Sequence, residues 1–382
     1  MKLVIWISVL TDHQIHLFNV LQKYLTQSIE YVVGTQMLPE REAQGWSNVD
    51  CSSLNIHLLH KCAWLKEAHH IVNNNLDAIH IFGGFFADRR FLPILLIAQL
   101  KGVQTALMME PFVEEAQSYF NIKPNLIDKL KVYYRPFIYK LTGKLISQRL
   151  IAAFAISKKS KKQFLMMGVE NKRIFLFGYF VPKLIFSRNL TIQCKKNSKL
   201  KIIFVGNLIA RKGLNTLLES VSILRNDYLN ILLDVYGPGE ISPSVVKRKG
   251  ITYQGKIPFG LTQKFISAYD LMVVPSLHDG WGVVVNEALL QGVPVIVSDA
   301  TGSKTLVEKS NAGMVFKAGD VMSLTESLRT IYMNPNLLDE LKFNARKFSP
   351  QLDPNIAASY FFKCLCSIID KRDEHPVCPW YV

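Results

Sequence analysis

Residues 275–296 read PSLHDGWGVVVNEALLQGVPVI, and the fold turns on how they are understood. The apolar run LMVVPS (271–276) leads into a loop that holds His278, Asp279, Gly280 and Gly282. That loop opens into the helical pattern VVNEALLQ (284–291), which carries Glu287 and stops at Gly292 before a second apolar run, PVIVSD (294–299). Strand, loop, helix, strand is the repeating unit of a parallel sheet. Gly280 and Gly282 let backbone amides come close to a ligand, and the helix start turns its positive end to the same place. Carboxylates only accept hydrogen bonds, so Asp279 and Glu287 suit a hydroxyl-rich partner such as a sugar or a ribose. The same two acids also suit an acid/base couple. The structural alternative is an acid placed near a helix start by the dipole.

Outward from this unit the pattern repeats. In the second half KIIFVG (201–206), ILLDVYG (231–237) and ITYQG (251–255) are further strand candidates, with helices at LNTLLESVSILR (214–225) and LTQKFISAYD (261–270). In the first half the strand candidates are LVIWIS (3–8), IEYVVGT (29–35), DAIHIF (77–82), TALMM (105–109) and AAFAIS (152–157), with helices at 16–25 and 90–102. Short, near-continuous apolar strands separated by helices predict parallel sheets covered on both faces. Such a pattern occurring twice predicts an α/β protein with two doubly wound, Rossmann-like domains. The polar stretch 188–199 is the expected linker. It sets a first domain at 1–187, a second at 200–347, and a C-terminal helix and tail at 348–382 that can pack back on the first.

Composition fits this division. The chain has 382 residues, 49% hydrophobic and 20% charged, enough for two cores. Its formal charge of +15 and pI near 9.4 predict an acidic partner. The six cysteines form no CxxC pair and no disulfide framework, which points to a reducing, cytoplasmic setting. The opening MKLVIWISVL lacks the basic start and cleavage site of a signal peptide and reads as a buried strand. No apolar run reaches the roughly 18 residues of a membrane-spanning helix. Residues 121–162 hold eleven Lys/Arg against the single acid Asp128, a net +10 of the total +15. Within that stretch Leu126, Leu130, Tyr133, Phe137 and Leu141 recur at helical spacing, which predicts a basic amphipathic helix. No zinc finger, helix-turn-helix or RNA-recognition motif accompanies it, so nucleic acid is not the expected partner.

Two other loops of the second half follow strands. After Gly206 come Asn207, Arg211, Lys212 and Gly213 at a helix start, a place where amides, a helix end and cations suit a phosphate; a solvated basic turn is the structural alternative. After Gly255 come Lys256, Ile257 and Pro258, where a planar base can lie against backbone groups, or where the chain only turns from strand to helix.

Taken in order, Gly206…Lys212-Gly213, Gly237-Pro238-Gly239, Gly255…Tyr269-Asp270…Pro275-Ser276, Asp279-Gly280-Trp281-Gly282…Glu287 and Gly292-Val293-Pro294-Val295 carry a resemblance. They look like the donor domain of the family-four retaining glycosyltransferases (glycosyl transferases group 1), which have the GT-B fold. The match is strongest over 200–345. The resemblance implies two doubly wound Rossmann-like domains facing a central cleft, the first for the acceptor and the second for a nucleotide sugar. It implies that Lys212 grips the diphosphate of the donor and that Glu287 accepts from the ribose hydroxyls. Asp279 would contact the donor sugar, with the amides of Gly280, Trp281 and Gly282 lining sugar and phosphate. Gly206, Asn207 and Arg211 would complete the phosphate loop, and Ile257 would present backbone groups to the base. No Asp-x-Asp motif occurs, so the leaving diphosphate is expected to be stabilised by cations and helix ends, with no metal and no cofactor beyond the nucleotide sugar as co-substrate.

The sequence departs from the family at three places. Asp279 stands where a Glu is usual, and Asn207 where an Arg commonly follows the first glycine. The glycine-rich first loop of many relatives is replaced by VLTDHQIHLF (9–18). Relatives also often place a His after the fourth strand of the first domain; the equivalent stretch here offers Glu110 as a catalytic candidate beside Asp279 and Lys212, with a surface loop acid as the alternative. His13, His16 and His80 are acceptor-side candidates, although a buried, satisfied His is the common explanation for a residue placed like His80. The expected function is a hexosyltransferase-type enzyme (EC 2.4) in polysaccharide or glycolipid synthesis. Its acceptor would be a saccharide or a lipid-linked saccharide, with the basic helix near 123–149 lying on an anionic inner membrane surface. The alternative, kept open by Asn207 and Asp279, is a partner subunit of the same shape that binds a nucleotide or saccharide without transferring it.

Overall fold

The LVIWI of the opening forms strand β1 (Leu3–Ile7), buried at every position. The structure is a computed structural model that describes residues 1–35, 54–85, 88–113, 126–186, 199–227, 229–239, 249–372 and 375–381. The expected linker, apart from its last residue, lies outside them. The chain divides into two units, the first from Met1–Glu114, Leu130–Val181 and Pro354–Pro379, the second from Glu115–Lys129, Pro182–Asp353 and Trp380–Val382.

In the first unit β1 is joined by β2 (Glu30–Val33), β3 (Asn55–Leu58), β4 (Ile79–Gly83), β5 (Gln104–Met109), β6 (Leu150–Ile156) and β7 (Ile174–Phe177). All pair parallel in the order β3-β2-β1-β4-β5-β6-β7. The helices are α1 (Asp12–Leu21), α2 (Trp64–Asn73), α3 (Phe91–Leu100), α4 (Leu126–Ile146), most of which belongs to this unit, and α5 (Lys158–Met166). In the second unit β8 (Leu200–Val205), β9 (Ile231–Tyr236), β10 (Ile251–Gly255), β11 (Leu271–Val274), β12 (Val295–Ser298) and β13 (Gly313–Phe316) take the order β10-β9-β8-β11-β12-β13, again all parallel. Its helices are α6 (Leu214–Asn226), α7 (Thr262–Ile266), α8 (Val283–Leu290), α9 (Lys304–Ser310), α10 (Val321–Met333) and α11 (Pro335–Phe348). Helix α12 (Pro354–Ile369) returns the chain to the first unit.

Both sheets are therefore doubly wound, as their patterning predicts. Three strands have no counterpart among the strand candidates: β3, β7 and β13. Each is four residues long and stands at a sheet edge. An edge strand is paired on one side only, so it needs no long apolar run, and the NIHL of β3 is mostly exposed; the IFLF of β7, in contrast, is apolar and mostly buried.

The two faces of the first sheet are packed differently. On one, Trp6 stacks on Phe82 at 5.4 Å between ring centroids and meets Phe91 edge-on, at the centre of the larger core cluster. The other is closed by α1 and α12. Phe361 of α12 is fully buried, stacks on Phe154 of β6 at 4.2 Å and meets Phe18 of α1 edge-on. Removing this ring would lose its transfer energy and leave a cavity. Phe361→Ala is expected to lower unfolding stability by about 3–5 kcal/mol in urea titration. A loss below about 1 kcal/mol would mean that α12 is not part of this core.

Candidate active site

In a doubly wound sheet the order reverses at one point, and the loops that leave the two strands there diverge and open a crevice. In the second unit that point lies between β8 and β11. The loop after β8 runs from Gly206 through a 3-10 turn, Ala210–Lys212, to Gly213, which caps α6 in the left-handed conformation (φ 67°). The loop after β11 runs from Pro275 to Gly282, which caps α8 in the same way (φ 87°).

These two loops are bonded to each other. The Leu277 amide donates to the Arg211 carbonyl at 2.7 Å, the His278 amide to the same carbonyl at 3.3 Å, and Arg211 Nη1 donates back to the His278 carbonyl at 3.3 Å. Gly213 lies so close to β11 that a Cβ there would fall 1.8 Å from the Pro275 carbonyl oxygen. Across the join Lys212 Nζ meets Asp279 Oδ2 at 2.6 Å, with the two side chains only 21% and 12% exposed. Burial pushes the Asp279 carboxyl up, but Lys212 and then Arg211 outweigh it and hold it below the usual carboxylate range.

The far side of the Asp279 loop is held by the turn after β12. The Asp279 amide donates to the Ala300 carbonyl at 3.2 Å, Gly302 N–H to the Asp279 carbonyl at 3.1 Å, and Ser303 N–H to the Trp281 carbonyl at 2.8 Å. The Ser303 hydroxyl also donates to the Gly282 carbonyl at 3.1 Å. Beneath them the buried Ser298 hydroxyl donates to the Ser276 carbonyl and lies 3.0 Å from Thr301 Oγ1. Sequence reading missed Ser298, Thr301 and Ser303 as positioning residues; the run SDATGS (298–303) shows only as a polar turn.

The other donor-side candidates gather around the same point. Gly280 is buried, Glu287 is half-buried on α8, and Gly206, Asn207 and Arg211 are half-buried in the β8 loop. Trp281 is sealed inside, 1% exposed, its indole donating to Asn286 Oδ1 at 2.9 Å, so its ring offers no surface to a ligand. Ile257, half-buried, belongs to the neighbouring β10 loop. That loop is tied in through Gly237, whose amide donates to the Gly255 carbonyl at 2.9 Å and whose absent side chain would strike the Gly206 carbonyl at 1.8 Å. Asp270, in contrast, is structural: it accepts from the Lys201 amide and from Lys342 Nζ.

In the first unit the candidates do not gather in this way. His13 at the start of α1 lies against Tyr179 with the two rings tilted (centroids 4.5 Å apart) and Nε2 3.1 Å from Thr11 Oγ1, and His16 is half-buried one turn on. Glu110 is exposed just past the end of β5. His80 is withdrawn altogether: it is fully buried, accepts at Nδ1 from Trp6 Nε1 (3.1 Å) and pairs at Nε2 with the Asn75 carbonyl (3.0 Å). Both ring nitrogens are used within the core, so His80 is no contact for an acceptor. Among the described residues no three His, Cys, Asp or Glu side chains converge as a metal site.

Two predictions follow from this geometry. Gly213→Ala puts a methyl group on a backbone carbonyl at positive φ, so a loss of about 2–4 kcal/mol is expected from strain and displacement together. Calorimetry checks it, and an unchanged midpoint would contradict the close approach. Burial pushes the His80 pKa down to about 4, partly offset by its bond to Asn75. The folded state thus binds this proton less well than the unfolded state. Its contribution is complete above about pH 6.5 and is lost as pH falls towards 4, a change of the order of 3 kcal/mol. Urea titrations at pH 7 and 4.5 should show that slope, and His80→Gln should flatten it.

Residues 189–348 match the family model described as glycosyl transferases group 1. An uncharacterized glycosyltransferase of Methanocaldococcus jannaschii is 26% identical over 250 residues, 62% of this chain and 62% of that protein. The N,N'-diacetylbacillosaminyl-diphospho-undecaprenol alpha-1,3-N-acetylgalactosaminyltransferase of Campylobacter jejuni is 24% identical over 207 residues, 53% of each. The chain thus spans between about half and three-fifths of these two relatives. Among solved structures, Anabaena HepE in complex with UDP superposes with a TM-score of 0.68 at 13% identity, covering 96% of this chain and 100% of that one. The fold is GT-B.

Proposed function

We propose, on the premise that this chain belongs to the glycosyl transferases group 1 through residues 189–348, that it moves a hexose from a nucleoside diphosphate to an acceptor hydroxyl with retention of configuration. The observation that carries this reading is the Lys212–Asp279 pair at the point where the second sheet reverses. Without donor, Asp279 neutralises the one lysine of the β8 loop. With donor, the diphosphate takes over Lys212, and the Asp279 carboxylate is left to accept from a sugar hydroxyl. In the donor-free protein Lys212 and Arg211 hold this carboxyl below the usual carboxylate range, so it is ionised, and an ionised carboxylate only accepts. Glu287, on α8 behind the same loop, accepts from the ribose. The amides of Gly280 to Gly282 and the start of α8 face the negative charge that builds on the departing diphosphate.

The reaction so drawn needs no metal, because Lys212, Arg211 and the helix ends supply the positive charge, and addition of EDTA is expected to leave the rate unchanged. For the acceptor hydroxyl we propose Glu110 and His13 of the first unit. The acceptor we propose is a saccharide or a lipid-linked saccharide of polysaccharide or glycolipid synthesis. The Campylobacter relative, whose name describes a lipid-linked acceptor, supports this class.

A thermal-shift panel of UDP-, GDP- and ADP-sugars identifies the donor, since a ligand that binds only the folded state raises its midpoint. HepE, solved with UDP and with UDP-glucose, makes the uridine series the first choice. With that donor, Lys212→Gln and Glu287→Ala are each expected to lower transfer about 100-fold or more while the protein stays folded. Lys212→Gln is chosen because its amide can still donate a hydrogen bond to the mostly buried Asp279 carboxylate, whereas Lys212→Ala would leave it neither cation nor donor from this position. Near-normal transfer by either variant would remove the site, and donor binding without transfer or hydrolysis would return the non-catalytic alternative.

A further inference from the structure

Helix α4 turns its apolar side outward. Leu130, Tyr133, Tyr134, Phe137, Leu141 and Leu145 are each between 47% and 78% exposed. At roughly 100° per residue they fall within an arc of about 120° on one side of the helix. The opposite side, Tyr139, Thr142 and Ile146, is buried. Gly143 lets that side come close to the chain, for a Cβ there would fall 2.2 Å from the Met167 carbonyl oxygen. The outward face is therefore set by the packing of α4 and is not a frayed end. Elsewhere among the described residues, exposed large apolar side chains occur mostly singly or in short-range pairs, as at Leu100 and Ile185. A contiguous patch of this kind marks a surface that meets something apolar.

Charge says what that is. Residues 129–169 hold ten Lys/Arg and no Asp/Glu. Lys140 and Lys144 are exposed on α4, along one edge of the apolar arc. A protein partner with a purely apolar face would leave those lysines opposite nothing. An anionic bilayer meets both demands at once, taking the aromatic rings at headgroup level and pairing phosphates with the lysines that flank them. We propose that α4 docks this chain flat on an anionic lipid surface, by its outward apolar face and its lysine edge together. No helix among the described residues is long and apolar enough to cross a membrane, so the contact lies in the plane of the interface. The inference rests on the exposure and charge of α4 and is independent of the transfer reaction.

The test is sedimentation of the full chain with vesicles of phosphatidylcholine, alone or mixed with phosphatidylglycerol. Binding to the mixed vesicles at low salt is expected to exceed binding to the neutral ones at least tenfold, and to fall as salt rises. The triple variant Tyr133→Ser/Phe137→Ser/Leu141→Ser should lose at least tenfold of that binding, because it removes the inserted groups. Lys140→Glu/Lys144→Glu should lose the preference for phosphatidylglycerol. Both variants should keep the thermal midpoint and the donor-induced shift of the parent, which separates failure here from failure of the transferase reading. No sedimentation by the parent, equal binding to both vesicles, or an unaffected triple variant would overturn the proposal. So would a parent dimer that the triple variant converts to monomer, since the face would then join two copies of this chain.

Discussion

The second unit depends on how closely two of its loops approach. Gly213 can sit against the Pro275 carbonyl only because it has no side chain and because it adopts positive φ. That contact brings the Arg211 carbonyl within reach of two amides of the opposite loop. With the backbones fixed, Lys212 and Asp279 face each other at bonding distance with little freedom left to lose. The ion pair is thus a result of the backbone join more than its cause. A pair that bore the join by itself would be a poor support, since mostly buried charges regain little beyond what they give up on leaving water. The turn after β12 completes the arrangement from the other side, with Ser303 and Gly302 bonded to the loop backbone.

Much of this was legible in the sequence. The alternation of apolar runs and helices gave both sheets, because strands buried on both faces leave an uninterrupted apolar signal. Strand β3 lacks that signal because an edge strand is free of the demand, whereas the apolar, mostly buried IFLF of β7 carries it and is legible by the same rule. The glycines of the two loops announced themselves, as backbone conformation is written directly into residue type at such positions. What they approach is a long-range fact, and no local pattern says that Gly213 faces Pro275 or Gly237 faces Gly206. The same limit hid Ser298, Thr301 and Ser303, whose roles exist only once β12 lies beside β11. His80 shows the converse. Its place at a strand marked it as a candidate, and only the ring of Trp6 from the neighbouring strand reveals it as a core residue.

Helix α4 makes a related point about amphipathic patterns. Spacing identifies an apolar stripe and a basic surround, but it does not say which side the protein keeps. Here Tyr139, Thr142 and Ile146 are kept, with Gly143 allowing the approach, and the larger aromatic stripe is left outside. Hydrophobicity alone would have predicted the reverse orientation. The deciding quantity is the fit of the less apolar side to the turn that holds Met167, a matter of shape.

The position of Phe361 bears on how the chain is made. One face of the first sheet is closed by a helix that lies beyond the whole body of the second unit, at Pro354–Ile369. Domains emerging from a ribosome ordinarily complete themselves in order, amino-terminal first. In this chain Phe154 and Phe18 wait with an uncovered apolar face until Phe361 has been synthesised. By then nearly all of the second unit is already in hand. The half that begins the chain is the last to close, and through most of translation its open face is what a chaperone would find.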